Sequence, residues 1–126
     1  MPEVAERDYF QRRLREEMAR CDRYHDAFSL MLLRASPAPG YAPNRRLTKT
    51  AARLLERRLR TCDVVAAVYE DTIGVMLVRT TDVGLRDAQL RIRGAVASIG
   101  GSWRLSAFTY PEHRDAIQAL DILAAA

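Results

Sequence analysis

The chain has 126 residues, 48% of them apolar and 29% charged, enough for one domain around a single core and too apolar for a disordered polymer. Its net charge is +4 with a pI near 9.5, and among 20 basic residues Lys49 is the only lysine. A mildly basic surface favours anionic partners such as nucleotides, nucleic acid or anionic lipid without choosing among them.

From Pro2 to about Tyr24, the apolar residues Val4, Phe10, Leu14, Met18 and Cys21 recur among charged ones at spacings of three, four and six, the mark of an amphipathic helix. The continuous apolar run Phe28-Ser-Leu-Met-Leu-Leu33 suits a strand buried on both faces. Ala35 to Arg46 holds three prolines and a glycine and reads as a loop. Leu47 to Arg60 predicts a second helix, with Leu47, Ala51, Leu54, Leu55 and Leu59 on one stripe and Arg57, Arg58 and Arg60 in its last turn, where the helix dipole favours cations.

Val64–Tyr69 and Ile73–Val78 are apolar runs separated by Glu70-Asp71-Thr72, an antiparallel hairpin whose turn lacks the glycine a tight turn prefers. Thr81 is placed to cap a third helix, in which Val83, Leu85, Ala88, Ile92, Ala95 and Ile99 supply the apolar side and Gly100-Gly101 the stop. Trp103–Tyr110 reads as a last strand ended by Pro111. A final helix is expected over Asp115–Ala125, with Ile117, Leu120 and Leu123 facing inward.

No repeat, low-complexity segment or linker divides the chain, so residues 1–126 are expected to form a single domain. The order predicts an α+β fold. A βαββαβ unit of ferredoxin-like or palm type builds an antiparallel sheet with its two right-handed crossover helices on one face, and helices flank it at both ends. The helix ending at Arg60 and the helix holding Arg91 are then neighbours. Without a signal peptide or an apolar run near the length of a membrane span, Cys21 and Cys62 are expected as free thiols in a reduced, cytoplasmic protein. Neither has metal-ligand spacing, and His25 and His113 sit in no nucleophile motif.

Local sequence adds to this layout. The stretch Tyr9-Phe-Gln-Arg-Arg-Leu-Arg-Glu-Glu-Met-Ala-Arg-Cys-Asp-Arg-Tyr24, followed by Phe28-Ser-Leu-Met-Leu-Leu33, resembles the opening of GGDEF (diguanylate cyclase) domains. Arg60-Thr-Cys-Asp63 is similar to that family's Arg-x-x-Asp element. Gln89-Leu-Arg-Ile-Arg93 resembles its third-helix signature, and Phe108-Thr-Tyr-Pro111 the end of its late strand. The departures are equally specific. At the hairpin tip, in place of Gly-Gly-Asp/Glu-Glu-Phe, stands Tyr69-Glu70-Asp71-Thr72-Ile73, which keeps only the acid at Asp71. Diguanylate cyclases use the tip glycines to let the backbone approach GTP phosphates, and share metal between the tip acid and an aspartate closing the first strand. Here that strand ends in Arg34-Ala35-Ser36, and the segment from Pro37 to Arg46 lacks the family's guanine-binding Asn-Asp and Gly-His elements.

The resemblance therefore implies a degenerate, non-enzymatic GGDEF-like domain of bacterial signalling, with no catalytic residues, bound metal or cofactor. It also implies retention of the family's inhibitory-type site, with Arg60, Asp63 and Arg91 as the ligand-binding residues for cyclic di-GMP. An arginine fork matches the O6/N7 edge of guanine or a phosphate, and a carboxylate accepts from guanine's N1 and N2 hydrogens. Arg93 lies on a different side of the helix. The plainer reading has Arg60 complementing a helix terminus, Asp63 pairing with it locally and Arg91 solvated. It leaves a protein-binding scaffold, a homodimer or the mate of a partner signalling protein, with helix faces such as the first and last mediating assembly. Without interleaved exposed aromatics, nucleic-acid binding is a minor option, and no membrane partner is expected. Related domains continue past the last helix, so an end at Ala126 implies a trimmed chain or a reduced natural protein.

Overall fold

The computed structural model describes residues 3–36, 45–120 and 123. In chain order the elements are α1 (Glu3–Tyr24), β1 (Phe28–Ser36), α2 (Arg45–Arg58), β2 (Val64–Tyr69), β3 (Thr72–Val78), α3 (Asp82–Ala97), β4 (Ser102–Tyr110) and α4 (Arg114–Gln118). The strands form one four-stranded sheet in the order β2-β3-β1-β4, with every neighbouring pair antiparallel. That order is the one a βαββαβ unit produces when both crossovers pack on the same face.

Because successive strand residues point to opposite faces, the sheet is apolar on both sides and carries a helical layer on each. Phe28 and Leu30 of β1, Val64, Ala66 and Val68 of β2, Met76 of β3 and Tyr110 of β4 pack with Phe10, Leu14 and Cys21 of α1 and Ile117 of α4. On the other face Met31, Leu33, Ile73, Val75 and Leu77 meet Ala51, Ala52 and Leu55 of α2 and Ala88, Ile92, Ala95 and Val96 of α3. The small residues of α2 and α3 let those two helices lie close to the sheet and beside one another.

The first layer is locked by a close approach. A Cβ built on Gly74 of β3 would stand 2.7 Å from Cζ of the fully buried Phe10 ring, so the distal edge of that ring abuts bare backbone. At its C-terminus α1 turns through His25, which takes φ +53°, while the Asp26 amide donates to the Cys21 carbonyl. This is the closing bond of a Schellman end, formed here without glycine. The α3 stop does use glycine, with Gly100 at φ +101° and Gly101 at φ +83°.

Four details differ from the expectations. Helix α2 ends at Arg58, so Arg60, expected in its last turn, lies in the turn that follows. Helix α4 spans Arg114–Gln118 and not eleven residues; most of the remaining expected segment lies outside the described residues, although Leu120 and Leu123 do pack inward beside Ile117. Thr81 occupies the N-cap position of α3, but its hydroxyl makes no capping bond. The hairpin, which lacks a turn glycine, is held instead from outside. The buried Thr48 hydroxyl of α2 donates to the Glu70 carbonyl (2.7 Å), and the Ala35 amide of β1 donates to the Asp71 carbonyl (2.7 Å). A register shift between Ala67 and Tyr69 turns the Tyr69 ring toward the α1 layer, where the Arg7 guanidinium covers it at 5.2 Å.

Among the described residues no helix is long and apolar enough to cross a membrane. Cys21 is buried and Cys62 exposed, both as free thiols.

Candidate functional site

The turn between α2 and β2 carries Arg60 and Asp63, and it is built around the Asp63 carboxylate. One oxygen, Oδ2, accepts from the Arg60 amide (3.2 Å) and from Arg60 Nε (3.2 Å). The other, Oδ1, accepts from Arg60 Nη2 (3.0 Å) and from the Val78 amide at the end of β3 (3.2 Å). The side chain of Asp63 is only 2% exposed, against 56% for Arg60. The pairing with Asp63 raises the guanidinium pKa of Arg60 above its already high ordinary value. Arg60 Nη2 donates further to the Val78 carbonyl (2.8 Å) and the Thr80 hydroxyl (2.8 Å), tying the turn to the segment that leads into α3.

Beside this brace lies an open depression of about 410 Å³, lined by Arg58, Leu59, Arg60, Asp63, Leu77, Thr80, Gly84, Ala88 and Arg91. The structure thus brings the three residues singled out from sequence to one place. The neighbouring of α2 and α3 on the same sheet face accounts for Arg91 arriving opposite Arg60. Arg58 and Thr80 belong to the same wall and escaped the sequence reading. Arg58 looked like any solvated last-turn arginine, and Thr80 joins only because Arg79, at φ +51°, swings the chain out of β3. Arg93 does not line the depression.

A second depression of about 500 Å³ lies against the opposite side of the same turn, where Tyr9, Arg13 and Glu17 of α1 face Glu56 of α2 and Arg60. Glu17 is nearly buried, although a helical pattern gives a charged residue no reason to be. Arg20 grips it in a fork of 2.8 Å and 2.7 Å and reaches Asp26 as well (2.8 Å). Arg79 Nε also donates to Asp26 (3.0 Å). The Ala27 amide, Arg20 and Arg79 together lower the Asp26 carboxyl from 3.8 to about 2. The β3–α3 turn is therefore latched to α1 as well as to Arg60.

At the hairpin tip, Arg34 Nε of β1 donates to Asp71 Oδ2 at 3.0 Å, and the Thr72 hydroxyl donates to Asp71 Oδ1 at 2.8 Å. Arg45 of α2 pairs with Glu70. The position at which the resemblance implies a shared metal ligand is filled by a guanidinium bonded to the tip acid. That donor set does not fit a pair of magnesium ions, which need several oxygen ligands each. Among the described residues no group of three or more His, Cys, Asp or Glu converges on a point. The expected guanine-binding segment, Pro37 to Arg46, lies outside the described residues over 37–44.

Elsewhere, Tyr110 is buried with its ring stacked on Phe28 at 5.2 Å, and its hydroxyl donates to Asp22 of α1 at 2.7 Å. Burial first, then the bond to anionic Asp22, pushes its pKa up to about 12. His113 accepts the Thr109 amide on Nδ1 (2.9 Å), and Trp103 donates to the Gly100 carbonyl (3.1 Å), so both have structural partners.

No protein-family model matches the chain, and no curated protein does. Solved structures do. A DGC protein from Thermotoga maritima superposes with a TM-score of 0.77 at 19% identity, covering 95% of this chain and 92% of that one. Two structures of the GGDEF domain of TpbB, also called YfiN, from Pseudomonas aeruginosa give TM-scores of 0.63 and 0.64 at 17% and 18% identity. They cover 83% and 84% of this chain and 70% and 76% of those chains. The chain has the fold of GGDEF domains.

Proposed function

We propose that this GGDEF-like domain is a non-catalytic receptor that holds cyclic di-GMP in the depression between α2 and α3, with Arg60 and Arg91 as ligand contacts and Asp63 as the residue that fixes Arg60. The observation carrying the reading is the convergence of Arg58, Arg60 and Arg91 on one open depression beside the braced turn. Guanidinium groups suit a ligand with two phosphates, and the bonds that hold Arg60 in place lower the entropy lost on binding. The Arg34–Asp71 ion pair supports the absence of catalysis, because a metal bridging those positions would have to displace a guanidinium from the tip acid.

The test is thermal unfolding of the whole chain with and without cyclic di-GMP, repeated on Arg91→Ala, which removes a ligand contact and leaves the Asp63 brace intact. A ligand at a hundred times its dissociation constant adds about 2.7 kcal/mol of stability. Stabilisation of the parent that is lost in the variant is expected. An unmoved parent refutes the receptor. In parallel, GTP and magnesium should yield no cyclic product.

One observation favours a second reading, assembly through α3. Val83 and Leu90 of that helix are 67% and 71% exposed, and residues seven apart share a face. Sedimentation of Leu90→Glu against the parent tests it; a dimer that dissociates in the variant supports assembly, and a parent that is monomeric at high concentration removes it.

A further inference from the structure

Strand β4 is an outer strand of the sheet, and among the described residues no strand pairs with the edge it turns away from β1. Bonds at its two ends show which of its backbone groups face outward. Thr109 gives its amide to His113 Nδ1 (2.9 Å), and its carbonyl accepts the His113 amide (2.6 Å), so neither group is spent on β1. At the other end the Ala35 amide of β1 turns away from β4 and donates to the Asp71 carbonyl, which leaves its cross-strand partner Trp103 unbonded to it. Antiparallel neighbours alternate between pairs that exchange both bonds and pairs that exchange none. Trp103, Leu105 and Ala107 therefore point their N–H and C=O groups outward, as Thr109 does. Of these, Thr109 alone finds backbone partners among the described residues.

Free edges are usually blunted by proline, lysine or a bulge. β4 has none of these: it keeps an unbroken register with β1 from Ser102 to Tyr110, and Arg104 is its one charged residue. Trp103, Leu105 and Ala107 lie on the α2–α3 face and are only partly buried, whereas Ala35, Leu33 and Met31 opposite them on β1 are buried. The apolar layer thus stops short at an unpaired edge. The sequence of β4 is also complementary to itself. In an antiparallel pair centred on Leu105, that residue faces its own counterpart and Trp103 faces Ala107, so all three outward residues exchange bonds and each indole meets a small methyl. On the opposite face of the sheet Arg104 meets Ser106, and no like charges oppose. Gly101, without a side chain, comes opposite Thr109 and leaves room for the His113 turn. The neighbouring registers are worse. One sets Arg104 against Arg104, and the other brings Trp103 to Thr109, whose groups His113 already fills.

We propose that the outer edge of β4 is a homodimer seam, where a second copy of this chain pairs antiparallel about a two-fold axis at Leu105 and joins the two sheets into one. The occupant is a second copy because the register that uses every open backbone group also matches large to small side chains and keeps the arginines apart. The seam is independent of the nucleotide reading and lies apart from the exposed face of α3.

Sedimentation equilibrium of the 126-residue chain, from micromolar to millimolar concentration, tests it, with circular dichroism confirming that each variant is folded. The parent should dimerise. Ser106→Arg, at an exposed position, sets arginine against Arg104 twice across the two-fold and should weaken the dimer about tenfold, while Ser106→Glu should tighten it. Ala107→Pro removes an outward amide without taking a bond from β1 and should abolish the dimer. Leu90→Glu on α3 should leave it unchanged. Amide exchange locates the seam: the Trp103, Leu105 and Ala107 amides should slow as the dimer forms, while those of Arg104 and Ser106, already bonded to β1, should not. A parent that stays monomeric throughout overturns the proposal. So does a dimer that Ser106→Arg leaves intact, that Leu90→Glu dissociates, or in which the three outward amides still exchange as fast as in the monomer.

Discussion

Removing the carboxylate of Asp63 should damage the fold more than removing its exposed partner. Asp63→Ala leaves the Val78 amide, at the half-buried end of β3, and the Arg60 amide without acceptors, and strips the Arg60 guanidinium of its anchor. A partly buried donor left unpaired costs about 1–2 kcal/mol, while the Arg60 amide recovers water and loses less. The ion pair is worth no more than about 1 kcal/mol, because Arg60 is more than half exposed and solvent screens it. Together these give about 2–3 kcal/mol, or a melting point lower by roughly 6–15 °C for a chain of this size. Arg60→Ala leaves Asp63 with both amide donors and should cost about 1 kcal/mol. Urea unfolding followed by far-ultraviolet circular dichroism measures both. An Asp63→Ala protein within about 0.5 kcal/mol of the parent, or less damaged than Arg60→Ala, would refute the assignment of Asp63 as the brace.

Other consequences concern metal, acid and packing. Arg34→Asp places a second carboxylate beside Asp71; the variant should be less stable than the parent without divalent cations and gain melting temperature with magnesium, whereas the parent should not respond. A magnesium-stabilised parent would contradict the reading of that ion pair. Asp26, lowered from 3.8 to about 2, binds protons more readily unfolded than folded, so its contribution is complete above about pH 4 and is lost as pH falls toward 2. Asp26→Asn should flatten the loss of stability in that window; an unchanged acid limb would show that the Arg20 and Arg79 bonds do not hold it. Gly74→Ala drives a methyl into the Phe10 ring and should cost about 1–3 kcal/mol by overpacking. Combining it with Phe10→Leu should cost less than the two separate effects together, and strict additivity would mean that the contact is not the cause.

Much of the fold was legible because its elements carry clean periodicities. The strand Val64–Tyr69 begins and ends where the apolar run does, and the α2–α3 adjacency that brings Arg91 to Arg60 follows from the handedness of the crossovers. Three things were not legible, each because it depends on tertiary contacts. The hairpin tip without glycine is stabilised by Thr48 and Ala35, distant in sequence. Glu17 is nearly buried because Arg20 folds back over it, which no periodicity signals. Asp63 was expected to face a ligand, yet its spacing from Arg60 could not reveal that the Val78 amide would arrive from β3 and complete its bonding. The residue type and position were readable, but the commitment of its lone pairs was not.

A receptor role for this GGDEF-fold domain requires that a cyclic dinucleotide bind on the α2–α3 arginines. The most direct measurement is the heat of titrating cyclic di-GMP into the 126-residue chain and into its Arg91→Ala variant. The parent should give a saturable isotherm that collapses in the variant while both proteins remain folded. A flat titration of the folded parent, or one that Arg91→Ala leaves unchanged, would contradict it.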